Sequence, residues 1–199
     1  MAIDRNANRA GASSIKNEVY MPQVTLEING KSVQAPQGAT ILQAAKAAGI
    51  QIPTLCQDDR LEPYGACRMC MVEIQKRGRA RLVASCLYPV EEGLVVQTGS
   101  ERVNRIRKMI IELLWPAGQK YAREYGVTRS RFATGMVDCS LCGLCVRYCA
   151  EVKKANSLYF KGRGIDRKPA LVEGSSLACA NCGECFSLCT GGWVVASRT

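Results

Sequence analysis

The first regular pattern along the chain is an alternation of apolar and polar residues close to the N-terminus. Every second residue over 24–28 is apolar, and the alternation resumes over 32–35 after Asn29-Gly30. Asn-Gly between two alternating runs is a strong signal for a two-stranded β-hairpin. We therefore expect ordered structure to begin with a hairpin, and residues 1–22, which are polar and mixed in charge, to form a flexible tail.

After the hairpin, the pattern changes to that of a short helix followed by strands. Thr40 is suited to cap a helix over the Ala-rich run 41–48, and Gly49 is suited to end it. Three short β-type runs follow, over 71–75, 81–85 and 94–97. Residues 23–100 are therefore predicted to form a small domain of the α+β class.

A helical period replaces this pattern after residue 100. The apolar residues are now three or four positions apart, as on one face of a helix: Val103, Ile106, Ile110 and Leu113. Ser100 precedes them as a capping residue, and Pro116 is expected to end the helix. We predict a packing helix over 101–115, and we assign residues 101–138 to this helix and a polar, basic linker.

Cysteine and histidine usage decides which chemistry is available to the chain. Among the 199 residues there are twelve cysteines and no histidine, so a Ser-His-Asp triad, a Cys-His nucleophile, a Rieske centre and a Cys/His zinc finger are excluded. No apolar run reaches the roughly 20 residues of a membrane span, and the N-terminus lacks the apolar core of an export signal. We therefore expect a cytoplasmic protein without membrane insertion, whose many thiols are metal ligands and not disulfides.

Eight of the cysteines form an internal repeat within residues 139–199. The spacing Cys-x2-Cys-x2-Cys-x3-Cys begins at Cys139 and recurs from Cys179, and it is typical of ferredoxins with two 4Fe–4S clusters. In these ferredoxins the last cysteine of each run ligates the other cluster. The predicted ligand sets are Cys139, Cys142, Cys145 with Cys189, and Cys179, Cys182, Cys185 with Cys149. Each half of the repeat is expected to be a loop followed by a short helix.

One departure from the ferredoxin pattern concerns the residue after each run. Ferredoxin runs usually end in proline, whereas Ala150 and Thr190 follow the two runs here. The spacing is intact, so we expect ligation with a different local turn. A pair of structural zinc sites is the alternative for this segment, although zinc prefers two Cys-x2-Cys knuckles for each ion.

The remaining four cysteines belong to the predicted first domain, and they are Cys56, Cys67, Cys70 and Cys86. Four thiolates, two of them in a Cys-x2-Cys loop, suit a 2Fe–2S cluster, and a zinc site is the alternative for this spacing. Gly65 stands two residues before Cys67, where close wrapping of the backbone favours glycine. Twelve cysteines thus divide without remainder into the ligands of one 2Fe–2S and two 4Fe–4S clusters.

The net charge of +10 at first favours a nucleic-acid partner. That value counts every cysteine as neutral, and three clusters with their thiolates would contribute about −6, which leaves about +4. We therefore expect no nucleic-acid partner. Because the thiols serve as ligands and no acid–base constellation remains, we also expect no catalysis by the chain alone.

Two stretches of sequence resemble a known family. They are residues 84–98, which read ASCLYPVEEGLVVQT, and Gly162-Arg163-Gly164 after the first 4Fe–4S run. Over about residues 23–195 the chain resembles the iron–sulfur module at the N-terminus of the complex I large subunit, which also forms the small diaphorase iron–sulfur subunit of NAD-linked hydrogenases. Similar modules head iron-only hydrogenases and some NAD-linked formate dehydrogenases. The resemblance implies a β-grasp 2Fe–2S ferredoxin domain followed by a two-cluster ferredoxin-like domain.

The chain departs from this family at one cluster. The family normally holds a further 4Fe–4S cluster, ligated by one histidine and three cysteines, just after the helix that matches residues 101–115. This chain has no histidine and no cysteine over 87–138, so it cannot build that cluster. We expect the linker 117–137 to take its place, either as a covering loop or as a partner-docking segment.

These observations favour an electron-transfer subunit. The resemblance implies one partner that is an NAD(P)(H)-oxidising flavoprotein and a second that is a terminal oxidoreductase, such as a hydrogenase, a formate dehydrogenase or another reductase. An alternative is the iron–sulfur subunit of a succinate dehydrogenase or fumarate reductase, against which the ten-residue gap after Cys56 and the absent prolines argue. A second alternative, from a different class, is a zinc-binding adaptor for nucleic acid.

Overall fold

The computed structural model describes residues 22–115, 117–132 and 139–192. The predicted tail lies outside these residues except for Pro22, whose carbonyl accepts a hydrogen bond from the Gln37 N–H at 2.7 Å. Pro116, residues 133–138 of the linker and the C-terminal residues 193–199 also lie outside the described residues. Within the described ranges, no helix is both long and apolar enough to cross a membrane.

A five-stranded mixed sheet forms the first part of the chain. Its strands are β1 (Gln23–Ile28), β2 (Lys31–Pro36), β3 (Met71–Lys76), β4 (Arg79–Ala84) and β5 (Val95–Gln97). The strand order is β2-β1-β5-β3-β4, with β5 parallel to β1 and antiparallel to β3. The predicted hairpin is confirmed, because Asn29 and Gly30 both have positive φ, at 53° and 80°, which a tight two-residue turn requires.

A short helix lies against this sheet. Helix α1 (Ile41–Ala47) begins after Thr40, whose hydroxyl accepts from the Gln43 N–H while the Gln43 side chain accepts from the Thr40 N–H. This reciprocal capping box satisfies donors that the helix start would otherwise leave free. The predicted helix and its capping residue are confirmed. Ile41, Ala44 and Ala45 are buried in the core between α1 and the sheet, so this part of the fold has the predicted α+β class.

Helix α2 (Glu101–Leu113) corrects the prediction for the next segment in two respects. It is capped by Ser100 as expected but ends at residue 113, not 115. Its buried residues are Val103, Arg107 and Ile111, whereas Leu113 is 57% exposed. The buried residues of α2 are four positions apart, and one of them, Arg107, is charged. A search for regularly spaced apolar residues does not find a buried arginine.

The remaining described residues form short elements around a second hairpin. They are α3 (Gln119–Ala122), α4 (Leu144–Arg147), a π-helical turn (Tyr148–Val152), β6 (Leu158–Lys161), β7 (Lys168–Leu171) and α5 (Ser176–Cys182). β6 and β7 pair antiparallel and were not predicted. The first half of the cysteine repeat is a loop followed by α4, as expected.

The second half of the repeat differs from the prediction. Cys179 and Cys182 lie within α5, and the loop follows them at Gly183, which has a φ of 58°. The residues of α5 explain the difference, since alanine and leucine favour helix and Ser175 stands at its start. The two halves therefore share a cysteine spacing but not a backbone conformation.

Two hydrophobic cores hold these elements together. The first lies between α1 and the sheet. The second contains residues from the cysteine loops of the first part, from the end of α2, and from the segment with the two cysteine runs; Leu55, Met69, Ile111, Leu144 and Leu158 are among them. Residues on both sides of the linker thus bury one another in a shared core.

We expect the substitution Ile111→Ala to lower the free energy of unfolding by about 2–5 kcal/mol, because it removes a fully buried side chain from this shared core. The matched control Leu113→Ala removes an exposed side chain from the same helix and should change that free energy by less than about 0.5 kcal/mol. Denaturant unfolding of both variants under anaerobic conditions measures the difference. Equal decreases in the free energy of unfolding for the two substitutions would contradict the observed orientation of α2.

Candidate metal centres

The four cysteines of the first part converge in one buried site. Each of them is at most 4% exposed, and they are Cys56, Cys67, Cys70 and Cys86. Cys56 lies in the loop after α1, Cys67 and Cys70 lie in the loop before β3, and Cys86 follows β4. The sheet therefore brings together three loops that are far apart in the sequence.

Within this site the thiols are arranged as two pairs. The Cys67 N–H donates to Cys56 Sγ at 3.5 Å, and Cys70 Sγ lies 3.3 Å from Cys86 Sγ. The contact with Cys67 lowers the pKa of Cys56 to about 6, and the contact with Cys86 lowers the pKa of Cys70 to about 6. The same contacts raise the pKa of Cys67 and of Cys86. Within each pair, the contact therefore favours the thiolate form of one cysteine and the thiol form of the other.

This arrangement fits a 2Fe–2S cluster, in which each iron takes two of four cysteine ligands. Two thiolates on one tetrahedral metal lie about 3.7 Å apart for bonds of about 2.3 Å, close to the observed separation within the Cys70–Cys86 pair. Across the described ranges, no group of three or more Cys, Asp or Glu side chains is close enough to hold a single metal ion.

The loop around this site has little room for a larger residue at Gly65. Gly65 has a φ of 70°, and a Cβ at this position would lie 2.3 Å from Leu87 Cδ1. Leu87 directly follows the ligand candidate Cys86, so contact between Gly65 and Leu87 brings two of the cysteine loops together. Gly65 is therefore closely surrounded, as its position before Cys67 predicted, but its close neighbour is the Leu87 side chain and not a wrapping backbone.

Arg107 is a residue of this site that the sequence analysis missed. It is 3% exposed, and its guanidinium donates to the Met69 carbonyl at 3.1 Å and to the Met71 carbonyl at 2.8 Å. These two carbonyls stand on either side of Cys70. A third donor of Arg107 reaches the Tyr125 hydroxyl at 3.0 Å. Arg107 therefore fixes the backbone of the Cys67–Cys70 loop from helix α2.

The start of the linker covers this site from the other side. The Tyr121 hydroxyl donates to the Thr54 carbonyl at 2.9 Å and accepts from the Thr54 N–H at 3.2 Å. Thr54 precedes Cys56 by two residues, and Tyr125 binds Arg107 as described above. These contacts support the covering role, and the docking role stays a prediction for the linker.

The second set of cysteines surrounds a small cavity. Cys139, Cys142, Cys145 and Cys189 all line it, together with Phe160 and Pro169 of the second hairpin. Burial raises the pKa of Cys139, and the neighbouring thiols of Cys142 and Cys189 raise it further. The structure thus brings Cys189, from the second run, to the three leading cysteines of the first run.

The third set lies nearer to the surface. Burial raises the pKa of Cys185 to about 11, and the neighbouring thiols of Cys179, Cys149 and Cys182 also raise it. Cys149 is buried and its Sγ accepts a hydrogen bond from the Ser157 N–H at 3.1 Å. Cys182 is exposed and Cys179 is half-buried. The cysteine from the first run therefore forms the inner side of this set, and α5 forms its outer side.

Cysteines of all three sets belong to the same buried core. Burial raises the pKa of Cys142 most, and Cys56 of the first set is among the thiols that raise it further. Burial also raises the pKa of Cys145 to about 12, with a further contribution from Cys185 of the third set. The second set is therefore in electrostatic contact with both of the others.

Comparison with known proteins agrees with this geometry. Residues 21–101 match the family model of a 2Fe–2S iron–sulfur cluster binding domain. One chain of a solved NAD+-reducing [NiFe]-hydrogenase is similar, with a TM-score of 0.67, 30% identity and coverage of 76% of both chains. The chain belongs to the iron–sulfur module family of NAD(P)-linked oxidoreductases.

Curated relatives of this module are much longer proteins. The NADPH-Fe(3+) oxidoreductase subunit alpha of Geobacter sulfurreducens is 32% identical over 86% of this chain and 24% of its own length. The mitochondrial NADH-ubiquinone oxidoreductase 78 kDa subunit of Candida albicans is 29% identical over 96% of this chain and 30% of its own length. The chain thus spans less than a third of the length of each of these two relatives.

We expect the substitution Arg107→Met to weaken iron binding at the 2Fe–2S site and not at the other cysteine sets. The substitution leaves the Met69 and Met71 carbonyls without their charged donor, and each such hydrogen bond contributes about 1.5–3 kcal/mol. Iron should leave this site at least about tenfold faster under a chelator, as followed by the 2Fe–2S EPR signal.

The control for this prediction is Arg105→Gln on the same helix. Arg105 pairs with Glu101 on the exposed face, where an ion pair contributes little. Identical rates of iron loss from the two variants would show that Arg107 does not hold the cysteine loop.

Proposed function

We propose that the chain is an electron-transfer module with one 2Fe–2S cluster and two 4Fe–4S clusters. The 2Fe–2S ligands are Cys56, Cys67, Cys70 and Cys86. One 4Fe–4S cluster is held by Cys139, Cys142, Cys145 and Cys189, and the other by Cys179, Cys182, Cys185 and Cys149. Two observations carry this proposal: cysteines of all three sets share one buried core, and Cys189 lines the same cavity as Cys139, Cys142 and Cys145.

The clusters supply reversible one-electron chemistry, and the chain's own residues hold and insulate them. Backbone N–H groups of Cys67, Leu141 and Ser157 donate to sulfur atoms, one in each set. Such donors favour the charged thiolate and influence the reduction potential. The shared core around the first two sets keeps water away from them.

The proposed ligand sets also define the domain boundaries. We propose a β-grasp 2Fe–2S domain over residues 23–100 and a two-cluster ferredoxin-like domain over 139–199, joined by the helix and linker 101–138. The strand order with β5 between β1 and β3 supports the first assignment. The cavity lined by Cys139 and Cys189, from opposite ends of the repeat, supports the second.

The partners are proposed from the family. An NAD(P)(H)-oxidising flavoprotein would exchange electrons with one of the three clusters, and a terminal oxidoreductase with another. The exposure of Cys182 supports the third set as the one that exchanges electrons with a partner. Family membership favours this function over a subunit of succinate dehydrogenase type and over a zinc-binding nucleic-acid adaptor.

We expect the anaerobically purified chain to contain about ten irons and ten sulfides, since one 2Fe–2S and two 4Fe–4S clusters require them. Chemical iron and sulfide determination, with zinc measured on the same sample, tests this directly. Cys86→Ser should remove about two irons and the 2Fe–2S signal while both 4Fe–4S signals persist. Stoichiometric zinc, or about eight irons without a 2Fe–2S spectrum in the unaltered chain, would contradict the proposal.

We further expect that NADH alone will not reduce the clusters of the isolated chain. Hydride donors deliver two electrons together, whereas each cluster accepts one, and a flavin is needed to convert between them. Cluster absorbance should bleach only after the cognate flavoprotein is added. Fast bleaching by NADH in a preparation free of flavin would instead require a nucleotide site on this chain.

A further inference from the structure

The turn of the second hairpin, between β6 and β7, concentrates basic residues. Residues 161–168, which we call the basic tip, contain four basic residues and one acidic residue, Asp166. The basic residues are all exposed, and they are Lys161, Arg163, Arg167 and Lys168. None of the four forms an ion pair with another residue that the structure describes. The basic tip therefore presents a net positive charge at the surface.

The strand register of this hairpin places two like charges opposite each other. Lys161 at the end of β6 is the direct partner of Lys168 at the start of β7, and like charges at opposed positions destabilise a strand pair. The first hairpin also has such a pair, Lys76 opposite Arg79, but there Lys76 forms an ion pair with Glu91 at 2.6 Å. Among the described residues no carboxylate compensates the pair at the basic tip, so this position favours negative charge from outside the chain.

The backbone of the basic tip is tightly folded. Gly162 has a φ of 77°, and a Cβ at this position would lie 2.5 Å from the Asp166 carbonyl oxygen. The Asp166 N–H donates to the Arg163 carbonyl at 3.1 Å, and the Arg167 N–H donates to the Gly164 carbonyl at 3.3 Å. Gly162-Arg163-Gly164, one of the stretches that resemble the family, thus forms this turn. A turn that is already folded presents its side chains to a partner with little further loss of backbone entropy.

The basic tip is continuous with the residues that cover the second cysteine set. Phe160 and Pro169 are direct partners in the strand register, and both line the cavity of Cys139 and Cys189. The guanidinium of Arg167 lies 4.2 Å from the centre of the Phe160 ring. The basic tip begins at the residue after Phe160 and ends at the residue before Pro169. A partner bound at the tip therefore lies beside one of the proposed 4Fe–4S sites.

The base of the same hairpin reaches the third cysteine set. Ser157 directly precedes β6, and its N–H donates to Cys149 Sγ at 3.1 Å. The Ser157 carbonyl accepts from the N–H of Val172, which directly follows β7, at 2.9 Å. The second hairpin thus contacts both of the proposed 4Fe–4S sets.

We propose that the basic tip is the docking surface for an acidic electron-transfer protein that exchanges electrons with the 4Fe–4S sets. This inference rests on the proposed function. Exposed basic groups steer an acidic surface into contact and speed its association, and salt screens this attraction. Guanidinium groups such as that of Arg163 also bind carboxylates through two parallel hydrogen bonds. The surface would thus set the rate at which the partner meets the clusters.

The test is anaerobic stopped-flow mixing of the full chain, with its clusters oxidised, and fully reduced flavodoxin, an acidic one-electron donor. The anionic flavin hydroquinone loses one electron and becomes the neutral semiquinone, while one cluster of the chain gains that electron and no proton moves. Bleaching of the cluster absorbance gives the second-order rate constant. For the unaltered chain, this rate constant should fall at least about fivefold between ~20 mM and ~300 mM salt.

Charge reversal at the basic tip should slow this reaction. Arg163→Glu should lower the rate constant at low salt by about tenfold and weaken its salt dependence, and Arg163→Gln should lower it by a smaller factor. The matched control is Arg79→Glu, which changes the net charge by the same amount at an exposed position of the first hairpin. Arg79→Glu should change the rate constant by less than about twofold.

The outcomes separate failure of this inference from failure of the proposed function. Absence of 4Fe–4S EPR signals in the dithionite-reduced, unaltered chain would refute the function itself. With these signals present, a rate constant that does not fall with salt, or no reduction by flavodoxin, would overturn the docking surface. Equal losses in Arg163→Glu and Arg79→Glu would assign the effect to net charge and would also overturn it.

Two further measurements complete the test. Should Arg163→Glu not retain its clusters, Lys168→Glu should show the loss of rate instead, and an unchanged rate constant in Lys168→Glu would overturn the proposal. Binding of a fluorescent RNA duplex is measured by anisotropy on the same samples. Duplex binding that Arg163→Glu abolishes, together with an unchanged rate constant for flavodoxin, would assign the basic tip to nucleic acid and not to an acidic protein.

Discussion

The burial of sulfur is the constraint on which the rest of this structure depends. Eight of the twelve cysteines are buried, and burial is the largest cause of the raised pKa of Cys142, Cys145 and Cys185, because a thiolate is poorly stabilised away from water. Such positions favour neutral thiols unless a positive metal centre compensates the charge. Metal binding and folding are therefore expected to be coupled in this chain, since the same core that excludes water from the sites includes their cysteines.

The need to bury the cysteine sulfur atoms also gives the linker a structural role, although the linker contains no cysteine. In the family that this chain resembles, the corresponding segment normally holds a further cluster. Here Tyr121 binds the Thr54 backbone and Tyr125 binds Arg107, so two tyrosines brace the loops of the first cysteine set. Cys56 and Cys142 belong to the same buried core, so we propose that electrons pass between the first and second sets without an intermediate centre in this segment.

Local signals in the sequence predicted the parts of the fold that local interactions determine. Asn29-Gly30 specifies its turn and Thr40 its helix start, because each acts on neighbouring backbone atoms. The grouping of the cysteines could also be predicted from the sequence, since the spacing within a run follows from the size of a cluster. The family resemblance extended this prediction to the β-grasp and ferredoxin-like folds.

The features that sequence reasoning missed all depend on distant residues. Arg107 is buried because the Met69 and Met71 carbonyls need a hydrogen-bond donor. The spacing of apolar residues along α2 does not indicate this. The second hairpin, β6 with β7, covers the cavity of Cys139 through Phe160 and Pro169. Leu113 was assigned to the buried face because it fits the apolar spacing, but the burial of Ile111 turns Leu113 toward solvent.

In the proposed function the chain binds three separate clusters, and each of the two 4Fe–4S clusters takes its fourth cysteine from the other run. Anomalous diffraction at the iron edge, from anaerobically grown crystals of the full chain, tests it most directly. We expect three separate groups of iron atoms, with Cys139 and Cys189 both bonded to irons of the middle group and Cys149 bonded to an iron of the group at Cys179, Cys182 and Cys185. Iron bonded to both Cys139 and Cys149 in one cluster, or no iron between the Cys56 and Cys179 sets, would contradict it.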